Sequence, residues 1–165
     1  MFEVDTTAGD DFERFAQRLA ELHLSRMPEI REWGHALPGA ASALAALATE
    51  PDVRQTIVTG NLRATAKVKL AVYGLDGPID WDVGAYGEDA DERPGLVRAA
   101  LRRAAARWGT IDRADVTLFG DTPADMIGAV ENGIRAVGVA TGSVSVRVGE
   151  VSQGRGISAP HGMEE

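Results

Sequence analysis

Cysteine is absent from the 165 residues. That excludes disulfides, thiolate metal ligands and a cysteine nucleophile, and it suits a reducing compartment such as the cytoplasm. Basic residues are in deficit: 17 Lys and Arg against 25 Asp and Glu leave a net charge of -8. A surface of that sign repels the phosphates of nucleic acid and an anionic membrane, so neither is expected as a partner. Aromatic residues make up only 5% of the chain and are not interleaved with Lys or Arg, which leaves no stacking platform for bases. No apolar run is long enough to span a bilayer. The opening MFEVDTTAGDD is acidic and poor in apolar residues, so it is not expected to act as a signal peptide. His23, His35 and His161 have no metal-like spacing, and no G-x-G-x-x-G follows a strand-like run. With 44% hydrophobic residues, the chain is expected to fold as one globular domain.

What is there is an alternation. DDFERFAQRLAELHLSRM places Phe12, Phe15, Leu19 and Leu22 on one helical face, with Asp10 or Asp11 as the expected cap. A short second helix should hold Ile30 and Trp33. LPGAASALAALATE reads as a third. VRQTIVTG is a β-branched run expected to form a buried strand. In the helix that follows, Asn61 is the expected N-cap and Gly74 the C′ residue. DVGAYG reads as a weak strand. RPGLVRAALRRAAARWG is a helix with Pro94 in its first turn and Gly109 past its end. DVTLFGD is a strand, TPADMIGAVENG a helix closed by Gly133, and IRAVGVAT a last strand. Such alternation predicts a three-layer, Rossmann-like parallel sheet with helices on its faces. Ligands gather at the carboxyl ends of strands in such sheets, and Thr59 and Asp121 both fall there.

Each candidate residue has a plain reading beside a functional one. In GDTPAD, Thr122 can cap the helix and Asp125 can complete a capping box, both acids being favoured by the helix dipole. Alternatively, Asp121 and Asp125 face one cleft and offer the oxygen ligands that suit Mg²⁺. Thr59, Gly60 and Asn61 can cap a helix or cradle a phosphate. Arg93 can be a solvated charge or the partner of phosphate and carboxylate.

The order of a strand ending in IVTGN, a basic residue before a helix, and FGDTPADMIGAVENGIRAVGVATG resembles the haloacid dehalogenase superfamily of hydrolases, in its phosphoglycolate-phosphatase-like branch. The resemblance covers about residues 37–143 and implies a Rossmann-like core. Residues 1–36 then look like the remnant of the family's helical cap, and 144–165 read as a flexible tail. It implies Mg²⁺-dependent phosphomonoester hydrolysis through an aspartyl-phosphate of a small phosphorylated metabolite. Thr59, with Gly60 and Asn61, would bind the phosphoryl group. Arg93 would replace the Lys that steadies phosphate and nucleophile. Asp121 would hold the metal, with Asp125 as ligand or support.

The family's first motif, an apolar strand ending in Asp-x-Asp-Gly-Thr, has no counterpart. In MFEVDTTAG, Asp5 takes the place of the nucleophile, but Thr7 stands where the acid should be and the Gly-Thr is missing. The first strand belongs mid-sheet, between the strands carrying Thr59 and Asp121. Its absence predicts two unpaired sheet edges open to self-association. The expectation is therefore an N-terminally truncated enzyme, inactive alone. The alternative is a non-catalytic protein of this kind that binds phosphate or metal, or assembles with a partner.

Overall fold

The computed structural model describes residues 7–139. Asp5 and the expected tail lie outside that range. Among the described residues, six helices and two strands follow in order, with a 3₁₀ turn at Arg113–Asp115. They are α1 (Thr7–Ser25), α2 (Met27–Trp33), α3 (Ala40–Ala48), α4 (Arg63–Val72), α5 (Arg93–Trp108), β1 (Thr117–Gly120), α6 (Pro123–Glu131) and β2 (Arg135–Gly138). Among the described residues, no helix is long and apolar enough to cross a membrane.

α1 begins at Thr7, so Asp10 and Asp11 lie inside its first turns and do not cap it. Its expected core face stays wet: Phe12, Phe15 and Leu22 are exposed. α1 and α2 nonetheless pack on α4. Arg31 Nη2 donates to the Val72 carbonyl at 3.0 Å and the Tyr73 hydroxyl to the Ile30 carbonyl at 2.5 Å. The first satisfies a carbonyl in the last turn of α4, which has no partner within the helix; the second joins the Gly34 N–H, which already donates to the Ile30 carbonyl.

The core lies under α5, which buries Leu96, Val97, Ala99, Ala100, Leu101 and Ala104. Leu96, Ala99 and Ala100 pack on Ala85, with Val58 and Ala90 at the margin. Each buried Val or Leu contributes about 1.5–3 kcal/mol relative to exposure. α6 comes close to α5 through Gly128, where an added Cβ would sit 3.0 Å from Arg93 Cγ and 3.2 Å from Val97 Cγ2.

The sheet departs from the expected continuous layer. β1 and β2 pair in parallel, in register from Thr117 with Arg135 to Gly120 with Gly138. The VRQTIVTG run stays extended but makes only one isolated parallel bridge, Val58 with Ala85. Thr59 N–H donates to the Ala85 carbonyl and Ala85 N–H to the Ile57 carbonyl, both at 2.9 Å. Among the described residues no backbone hydrogen bond joins this pair to β1. The described β structure is therefore two separate halves. Backbone groups of successive residues point to opposite sides of a strand. Because Ile57 and Thr59 face Ala85, the N–H and C=O of Val58 face the other way, into the gap.

Candidate functional site

Thr59 ends the first half and enters a tight loop before α4. Its Oγ1 accepts the Asn61 backbone N–H at 3.1 Å and Asn61 Nδ2 at 3.0 Å. Asn61 Oδ1 in turn accepts from Lys69 Nζ at 2.9 Å. Asn61 is therefore not the N-cap. That position is Leu62, with extended backbone and no side-chain cap bond. The first N–H of α4, that of Arg63, is satisfied from a distance by the Glu88 carboxylate at 3.1 and 3.2 Å. The loop is held against the chain at Gly87, whose N–H donates to the Asn61 carbonyl at 3.0 Å. A Cβ on Gly87 would overlap the Gly60 carbonyl, whereas one on Gly60 would meet nothing. The glycine that close approach demands is thus Gly87.

At the other half, Thr122 caps α6 and Asp125 completes the capping box. Asp125 Oδ2 accepts the Thr122 N–H at 3.1 Å and its hydroxyl at 2.7 Å. Gly120 is part of this cap. The Asp125 side chain lies directly over it, where any Cβ would overlap. Asp125 is only 6% exposed, and its second oxygen, Oδ1, pairs with Arg93 Nε at 3.0 Å. Asp121 is exposed at the carboxyl end of β1.

Arg93 connects the halves. While Nε holds Asp125, Nη1 donates to the Val58 carbonyl at 3.1 Å. That carbonyl is the acceptor turned into the gap. One planar guanidinium serves both at once through separate nitrogens held in a fixed geometry. The strand end bearing Thr59 and the helix start following Asp121 are thereby fastened to one cation.

A second charged group lies beside the loop. Arg63 Nη2 pairs with Asp82 at 2.5 Å, and Arg103 pairs with Asp89 through two nitrogens, at 2.6 and 2.7 Å. Arg63 holds the Asp82 carboxyl below the usual carboxylate range by hydrogen bond and charge. Arg103 does the same for Asp89, partly offset by burial. Burial pushes the Tyr86 phenol up. These pairs brace the loop from Asp80 to Asp89. A wide apolar groove of about 390 Å³ between α3 and Gly74–Pro78 involves none of the candidate residues.

Magnesium fits the described side chains only in part. Among the described residues no group of three His, Cys, Asp or Glu is placed to hold a metal ion. Both Asp125 oxygens serve the cap and Arg93. The described residues do not make up a Mg²⁺ site by themselves.

Lys69 and Glu88 were not singled out by the sequence reading. Lys69 stands eight positions after Asn61, a weak signal of reach back along a helix. Glu88 meets α4 only through the tertiary fold, and nothing local marks it.

Parallel strand segments, packed helices and polar groups at strand ends define an α/β protein with its candidate site where such folds bind ligands. The chain belongs to the haloacid dehalogenase-like hydrolase family, whose model matches residues 2–128. No curated protein matches it.

Proposed function

We propose that this chain is the phosphate-recognising part of a phosphoglycolate-phosphatase-like phosphomonoesterase, acting on a small phosphorylated metabolite. The supporting observation is the double engagement of Arg93, with Val58 at 3.1 Å and Asp125 at 3.0 Å. It sets a cation between the loop of Thr59 and the end of β1. The Thr59 hydroxyl and the Gly60 N–H would receive phosphoryl oxygens, and Arg93 would offset their charge as the ester bond breaks. Attack needs a carboxylate on the phosphorus, giving an aspartyl-phosphate that water then hydrolyses. No described residue is assigned that role. Asp5 is the candidate from the sequence, and without an attacking carboxylate the chain alone is inactive.

The test is hydrolysis of an aryl phosphate by the purified chain, with and without Mg²⁺, beside Asp5→Asn and Asp121→Asn. Silence from a folded sample is expected. Mg²⁺-dependent turnover lost in both variants would make Asp5 the nucleophile and overturn the inactive reading.

A second reading, a partner-assembling protein, is favoured by the divided sheet. Edges with unpaired N–H and C=O groups invite another strand. Sedimentation over a range of concentrations tests it. Association that rises with concentration supports assembly through these edges, and a stable monomer counts against self-assembly.

A further inference from the structure

We infer that Lys69 and Asn61 form a relay that holds the Thr59 hydroxyl as a hydrogen-bond donor to a phosphoryl oxygen. The inference rests on the phosphate reading above and adds two positioning residues to it. A hydroxyl has one proton and two lone pairs. Both lone pairs of Thr59 Oγ1 are taken, by the Asn61 backbone N–H and by Asn61 Nδ2. Only the proton remains for a further partner, and that partner must be an acceptor. A phosphate dianion offers acceptors; an ammonium or amide N–H does not.

Lys69 fixes this arrangement. A side-chain amide can be turned end for end, exchanging donor and acceptor. An ammonium only donates, so the Asn61 end 2.9 Å from Lys69 Nζ must be the oxygen. The nitrogen is then the end that faces Thr59. Were the amide to turn, its oxygen would draw the Thr59 proton to itself and away from a ligand. Lys69 also brings a positive charge one residue removed from the anion, but its specific effect is through the amide.

The experiment is titration of the full chain with inorganic phosphate, followed by backbone and side-chain amide shifts. Lys69→Met should weaken phosphate binding about tenfold, as expected for loss of a charge-assisted hydrogen bond. Lys69→Arg, which keeps the donor, should restore most of it. Asn61→Asp should weaken it further, because a carboxylate accepts from both Lys69 and Thr59. Lys67→Met is the control for net charge. Lys67 is exposed on the same helix, its ammonium 5.6 Å from the centre of the Trp81 ring. It should leave binding unchanged. Without phosphate, the Asn61 side-chain NH₂ resonances should shift in Lys69→Met and not in Lys67→Met. Unaltered binding in Lys69→Met, or an equal loss in Lys67→Met, would overturn the relay alone. A folded wild type that leaves phosphate unbound would overturn the phosphate reading on which it rests.

Discussion

The two halves of the divided sheet are built differently. The half that carries Thr59 is dry: Val83 and Ala85 are almost wholly buried, and α5 packs on Ala85. The half that carries Asp121 is wet on one face. Phe119 and Val137 are partners in register, yet they are 61% and 37% exposed. Ile127 and Val130 on α6 are exposed as well. One half is held by hydrophobic burial, the other by its cap, its two-strand ladder and the grip of Arg93 on Asp125. The guanidinium is one tie between the weaker half and the stronger; α6 also packs on α5 at Gly128, and Asn132 Nδ2 donates to the Pro94 carbonyl at 3.0 Å.

The largest break in this comparison should come from Arg93→Met. It leaves a buried carboxylate without its cation and the Val58 carbonyl without its donor. Removing one partner of a buried ion pair costs about 3–5 kcal/mol, a large part of the stability of a domain this size. Urea denaturation should show a midpoint far below that of the parent.

Gly120→Ala attacks the same junction from the strand side. Its Cβ would overlap Asp125, and overpacking of that kind costs about 1–3 kcal/mol. Gly77→Ala, where a Cβ meets nothing, should fall within about 0.5 kcal/mol of the parent. Equal midpoints for the two would remove the Asp125 contact from the account.

Trimming one valine in each half sharpens the contrast. Val83→Ala should cost about 2 kcal/mol, for two lost methyl groups and a cavity. Val137→Ala should cost less than about 0.5 kcal/mol, since its side chain is already partly in water. A larger loss at Val137 would mean that the wet face is covered in solution.

The smallest effect is electrostatic. Arg103 holds the Asp89 carboxyl below its ordinary pKa in the folded chain. A depressed carboxyl stabilises above its unfolded pKa of about 3.9, and that contribution fades as pH falls through the lower folded value. Asp89→Asn should therefore lose about 1 kcal/mol at pH 7, a modest figure because the pair is partly solvated. The gap from the parent should begin to narrow near pH 4 and close below it. A gap constant with pH would detach Asp89 from the ion pair.

Much of this was legible in the sequence because it is local. The 3.6-residue pattern found the helices. Gly74, Gly109 and Gly133, read as helix ends, all adopt positive φ. The Thr122–Asp125 capping box is there because it needs only four consecutive residues. What escaped depends on distance. VRQTIVTG has strand chemistry, but a strand needs neighbours, and among the described residues this one has a partner on one side only. Asn61 looked like a cap because its own sequence favours that role. Lys69 and Thr59 recruit it instead, and Glu88 serves the helix. Arg93 gave no local sign that it would span two halves. The family membership was readable from the GDTPAD and IVTGN stretches, whereas the placing of their side chains came only with the fold.

The most direct test of the central claim is residue-resolved native-state hydrogen exchange of the parent and Arg93→Lys. Lysine keeps the charge but lacks the separate Nε and Nη1 donors that reach Asp125 and Val58. The account predicts faster exchange in β1, β2 and α6, with the amides of Thr59 and Ala85 nearly unchanged. A uniform loss of protection across both halves, or none in either, would contradict the claim that the Arg93 guanidinium helps to fasten the wet half to the dry one.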